Sequence, residues 1–206
     1  MGKVHYAWVV AAVAFVVLLV AAGIRSTPGV IMLPIERDMG WSAQTVSAAA
    51  AINIALFGLT GPFAAALMQT FGLRNTMVLG LVVTAAGIFA AGFSSAPWQL
   101  ILTWGVVAGV GLGMLAMVLA ATVANRWFVK QRGLVMGALT ASTATGQLVF
   151  LPLLASMATA HGWRSATWIV GSAALVAIVP VALIVRDRPE SIGLLPYGAT
   201  AGETIA

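Results

Sequence analysis

Few residues in this chain are suited to chemistry, and their positions say which kind. Arg25 stands well inside a long apolar run, where a charge is costly and marks a functional position by default. It either faces a central cavity, attracting an anionic carboxylate or closing an outer gate against a partner, or its stem snorkels to the nearby interface. Thr140, Thr143 and Gln147 fall at i, i+3 and i+7, which is one helix face. They either line a solute path or bond within the bundle, the hydroxyls to carbonyls of their own helix and Gln147 to a neighbouring helix. Gln147 is the best single candidate, because an amide needs more partners. Asn53 is the one strongly polar residue of its apolar run and reads the same way.

Catalysis has little to stand on. All five acids (Glu36, Asp38, Asp187, Glu190, Glu203) lie outside the apolar runs, the histidines His5 and His161 are separated by several of them, and there is no cysteine. No paired carboxylates, metal cluster or nucleophile–base set can be assembled, so no catalytic residue, metal or cofactor is expected and the chain does not read as an enzyme. Gly109-Val110-Gly111-Leu112-Gly113-Met114 lacks a third glycine at dinucleotide-loop spacing and lies within an apolar run.

The elements that hold these residues follow from composition. Of 206 residues, 61% are hydrophobic and 7% charged, against roughly 25% charged in a soluble domain. Most of the surface cannot face water, so the chain reads as a polytopic membrane protein whose first partner is the lipid bilayer. Long unalternating apolar runs favour helices over barrel strands. Six transmembrane helices are predicted, at about Tyr6–Leu33, Ala43–Met68, Thr76–Phe93, Trp98–Val123, Leu134–Ala160 and Ala166–Val185. Residues 1–185 form this domain. Residues 186–206 are polar, with Gly and Pro, and read as a linker. Pro28-Gly29 is expected to loosen the first span, and Ser42 to cap the second. Gly58, Gly61 and Pro62 suggest close packing and a bend. Gly105, Gly109 and Gly113 form a small-residue seam that lets a second helix approach.

Charge sets the orientation. Lys3, Arg74, Arg126, Lys130, Arg132, Arg186 and Arg188 fall on the side of the termini; Arg37 and Arg164 fall on the other. Seven against two makes the termini cytoplasmic by the positive-inside rule. The net charge of +5 is thus topology chemistry, not a nucleic-acid signal.

Five fragments, in order, carry a family resemblance: Gly40-Trp41-Ser42; Gly61-Pro62-Phe63-Ala64 through Phe71-Gly72-Leu73-Arg74; Arg126-Trp127-Phe128-Val129-Lys130-Gln131-Arg132-Gly133-Leu134-Val135-Met136-Gly137; His161-Gly162-Trp163-Arg164; and Arg188-Pro189-Glu190. Together they resemble the N-terminal half of a major facilitator superfamily transporter, near the bacterial monocarboxylate and oxalate–formate branch. The resemblance implies an all-α fold with a three-plus-three repeat. It implies that Gly61, Gly72, Arg74, Arg126, Lys130 and Arg132 belong to loop and gating motifs. Two departures stand out. Gln69 and Thr70 occupy the place of an acid–base pair before Phe71-Gly72, and Gly105 the place of an arginine found in many proton-coupled members.

The expected function is secondary or facilitated transport of a small organic solute, a monocarboxylate-like anion, by alternating access. The chain would act as half of a twelve-helix carrier in a bacterial inner membrane. A second six-helix half is the expected partner, from a C-terminal half, a separate chain or self-pairing. The alternative is a truncated or non-transporting membrane protein acting as a structural or interaction subunit.

Overall fold

A computed structural model describes residues 5–199. Lys3 and residues 200–206 of the expected linker, Glu203 among them, lie outside the described residues. Among those described, six helices are long and apolar enough to cross a membrane. They are α1 (Tyr6–Met39), α2 (Ala43–Thr70), α3 (Leu73–Gly92), α4 (Pro97–Trp127), α5 (Arg132–His161) and α6 (Trp163–Ile184). The face that carries the start of α1 and the end of α6 is called the terminal face below.

Most helix ends lie near their expected places, and the exceptions have physical causes. α1 runs on to Met39 rather than stopping near Leu33, passing through Pro28 and Pro34. Proline is tolerated in such helices because neighbouring groups re-satisfy the freed backbone. α1 ends where Gly40 takes a left-handed φ of 66° and its N–H donates to the Glu36 carbonyl at 3.1 Å. Ser42 does sit at the N-cap of α2, but its side chain makes no capping bond.

The fourth span is not one continuous α-helix. It opens with an α turn at Pro97–Leu100, continues as a π-helix over Ile101–Ala108, and returns to α over Gly109–Met114. It breaks at Leu115 and Ala116, then resumes over Met117–Trp127. The middle segment is wedged between α2 and α3. A Cβ on Gly105 would lie 3.1 Å from the Ala49 carbonyl oxygen, one on Gly109 3.0 Å from Asn53 Cα, and one on Gly113 2.6 Å from Thr60 Cβ. The seam read from sequence therefore meets α2. Gly111 faces the other way, where a Cβ would lie 2.6 Å from the Thr84 backbone nitrogen of α3. The close packing expected at Gly58 and Gly61 is absent. Nothing lies within 4 Å of a Cβ on Gly58, and only Val118 Cγ2 at 3.9 Å meets one on Gly61. The buried stripe of α2 runs through Val46, Ala49, Asn53, Thr60, Ala64 and Met68, and Gly58 is off that stripe.

α1 is the most enclosed helix and packs chiefly on α5 and α6. A Cβ on Gly146 would press into the Leu19 backbone carbonyl, and one on Gly23 would press into the Phe150 ring. α2 and α5 are the least buried, leaving Ile54, Leu59 and Phe63 on one and Leu148, Val149 and Leu151 on the other exposed.

The tail is not a free linker. After a 3-10 turn at Pro189–Ile192, Tyr197 docks beside the loop between α4 and α5. Its N–H donates to the Trp127 carbonyl at 2.8 Å, and its carbonyl accepts from Val129 N at 2.9 Å and Lys130 N at 3.2 Å. Its ring packs against His5, Trp8 and Phe128. Backbone groups of residues on both sides of α5 and α6 are thereby satisfied in pairs.

Candidate functional site

Three helices bring the polar candidates together. Arg25 on α1 lines two adjoining cavities. One, of about 180 Å³, is walled by Leu18, Phe57, Leu115, Ala116, Thr140 and Thr143, among others. The other, of about 110 Å³, is walled by Pro28, Ala50, Asn53, Ile54 and Gln147. The first is mostly apolar; the second has Arg25, Asn53 and Gln147 on its wall. The Arg25 guanidinium carbon lies 4.4 Å from the centroid of the Phe57 ring. That is cation–π distance, and it holds the charge over α2 without a carboxylate. Among the described residues the one ion pair joins Arg164 to Asp38, so Arg25 has no acidic partner there.

Asn53 is 5% exposed and its Nδ2 donates to the Trp104 carbonyl at 2.8 Å. Trp104 lies in the π segment. Asn53 thus reaches the cavity wall while its amide N–H anchors α4. Thr143 donates its hydroxyl to the Thr140 carbonyl at 2.7 Å, so the within-helix reading of this residue is realised. Its oxygen lone pairs remain for a ligand. Gln147 is exposed on the second cavity. Such a wall can bind and orient an anion that has an apolar body. No histidine or carboxylate lines either cavity, and no group of metal-ligating side chains exists among the described residues.

The motif cations gather on the terminal face, where the side chains of Arg126 and Arg132 bind backbone carbonyls. Arg126 Nη2 donates to the Met68 carbonyl near the end of α2 at 3.0 Å, and Nη1 to the Asp187 carbonyl at 3.5 Å. Arg132 Nε donates to the Phe128 carbonyl. Lys130 lays its side chain where a Cβ on Gly198 would go. Arg74 offers its backbone N–H to Asp187 Oδ1 at 2.8 Å, and Gly72 beside it has φ +88°. None of these cations reaches the cavities.

Comparison with known proteins places this arrangement. The profile of the Major Facilitator Superfamily matches residues 13–203. The chain belongs to the major facilitator superfamily. Monocarboxylate transporter 14 of Mus musculus is 28% identical over 93% of this chain and 37% of its own length. The uncharacterized transporter ESBP6 of Saccharomyces cerevisiae is 30% identical over 92% of this chain and 29% of its own. The xylose transporter XylE from E. coli, in an inward-open conformation, superposes with a TM-score of 0.76 at 14% identity, over 89% of this chain and 49% of that one. The chain spans less than half the length of each of these three proteins, and its fold is a six-helix half of the superfamily architecture.

Part of the cavity wall lies outside the residues singled out in the sequence. Phe57 stands four residues after Asn53 and so shares its face, a signal that was available. Leu115, Ala116 and Met117 enter the wall because α4 breaks there, and nothing in those residue types announces a break.

Proposed function

We propose that this chain is one half of a carrier that moves a small organic anion of the monocarboxylate class across the membrane by alternating access. The observation that carries the reading is Arg25, a guanidinium within a span that has no carboxylate partner among the described residues and stands on the wall shared by two cavities. The solute's carboxylate would meet Arg25, with Asn53, Thr140, Thr143 and Gln147 around it and Phe57 beside its apolar body. The names of the monocarboxylate transporter relatives agree with that choice. The second six-helix half would cover the exposed apolar faces of α2 and α5. The count of cations favours a cytoplasmic terminal face. The two sequence relatives named above come from a mouse and a yeast, so they lend nothing to the bacterial inner-membrane assignment.

The test is uptake of labelled short monocarboxylates by the assembled carrier, wild type against Arg25→Ala and Arg25→Lys. A hydrogen bond to a charged group contributes about 1.5–3 kcal/mol, so Arg25→Ala should lower apparent affinity about 10- to 100-fold. Unchanged uptake and affinity would remove Arg25 from the mechanism, and a wild type indifferent to all carboxylates would remove the anion reading.

A further inference from the structure

α3 lacks the groups its own ends require. A helix leaves unpaired N–H groups at its start and unpaired carbonyls at its end, with partial positive charge at the first and negative at the second. An acid suits the start and a base the end. α3 has no acid in its first turn and no base in its last, and its N-cap position is Gly72, which has no side chain. Arg74, in its first turn, has the unfavourable sign.

Both missing charges come from the flanks of α6. Asp187, just beyond the end of α6, accepts the Arg74 N–H on Oδ1 at 2.8 Å. At the opposite face, Arg164 in the first turn of α6 donates from Nε to the Gly92 carbonyl at 3.1 Å, the last residue of α3. Arg164 is itself held by Asp38 Oδ2 at 3.0 Å, which also accepts the Trp163 indole N–H at 3.0 Å. The space at Gly72 is built around the acid: a Cβ there would lie 2.5 Å from Asp187 Oδ1, on a backbone with φ +88°. Between the two ends the helices are in close contact, since a Cβ on Gly171 would lie 3.0 Å from the Phe89 ring.

We propose that Asp187 and Arg164 are positioning residues that clamp α3 to α6 at both ends, making the antiparallel pair one cooperative unit. On α3 each charge meets a helix terminus rather than an opposite charge, so the clamp works through the backbone of α3, with Gly72 leaving room for the carboxylate. Asp187 also offers its carbonyl to Arg126, which ties the last turn of α4 to the same point.

Hydrogen–deuterium exchange of the protein in lipid nanodiscs tests this with no solute present, so its result is separate from that of the transport reading. Asp187→Ala should speed exchange of the amides at residues 73–76 about tenfold or more, the effect of losing a charge-assisted bond. The signature of a clamp is that residues 88–92 and 163–167, at the far face, also speed in this variant. Arg164→Ala should produce the mirror effect, reaching residues 73–76. Asp187→Asn keeps an acceptor and should stay within about threefold of wild type, since Asn and Asp cap comparably. Effects confined to the mutated end would reduce each residue to a local cap and overturn the proposal, as would unchanged exchange. If an alanine variant fails to fold, the comparison passes to Asp187→Asn and Arg164→Lys. Arg164→Lys should speed exchange at residues 73–76 while Asp187→Asn does not; equal profiles would overturn the clamp.

Discussion

Gly146→Ala adds one methyl group at the crossing of α1 and α5. A Cβ at Gly146 would press into the Leu19 carbonyl oxygen and lie 3.0 Å from both Ala22 Cβ and the Leu19 carbonyl carbon. Carbon contacts relax at roughly 3.5–4.0 Å, so the helices must separate by on the order of 1 Å. The obstructing atoms are backbone and one Cβ fixed to it, which cannot rotate away as a longer side chain can. Overpacking costs about 1–3 kcal/mol, and the upper end applies here. At about 2–4 °C per kcal/mol for a chain of this size, Gly146→Ala should lower the melting temperature by about 6–12 °C. Gly137→Ala is the control on the same helix, because nothing lies within 4 Å of its Cβ. There alanine should gain up to about 1 kcal/mol from helix propensity. Thermal unfolding of both variants in one detergent, followed by circular dichroism, decides the matter. Equal melting temperatures would refute the claim that Gly146 is a packing contact.

Three other substitutions separate paired from unpaired buried groups. Asn53→Leu leaves the Trp104 carbonyl without the amide bond it receives and should cost about 1–3 kcal/mol, read by the same melting experiment. Trp127 Nε1 is buried without a hydrogen-bond partner among the described residues, whereas Trp163 Nε1 donates to Asp38. Trp163→Phe should therefore destabilise more than Trp127→Phe, by about 1–3 kcal/mol; the reverse order in a denaturant titration would contradict the hydrogen-bond assignment.

Residue type carried the fold where the bilayer dictates it. Six long apolar runs became six helices, and glycines at 105, 109 and 113 became the contact with α2. Polar residues inside those runs stood out for the same reason, and Arg25, Asn53, Thr140, Thr143 and Gln147 do line adjoining cavities. Phe57 did not stand out, being one apolar residue among many. The break at Leu115–Ala116 was hidden because leucine and alanine favour helix; packing of the preceding glycines against α2 and α3 overrides that preference. The docked tail was hidden for another reason. Tyr197 is held largely through its backbone by Trp127, Val129 and Lys130, and backbone pairing across such a distance leaves no mark in composition. The reach of α1 was understated, since the helix passes through Pro28 and Pro34 to Met39.

The distance along the chain between Arg74 and its cap has a bearing on biosynthesis. Asp187 follows Arg74 by 113 residues. At about 5–20 residues per second of synthesis, α3 waits roughly 6–23 seconds for its terminal-face carboxylate. Until then, water and lipid headgroups must serve its first N–H groups, while α4 and α5 are still being made. The arrival of Asp187 would thus act as a late closing step in assembly, and a ribosome stalled ahead of that codon would leave a bundle whose third helix is still unfastened.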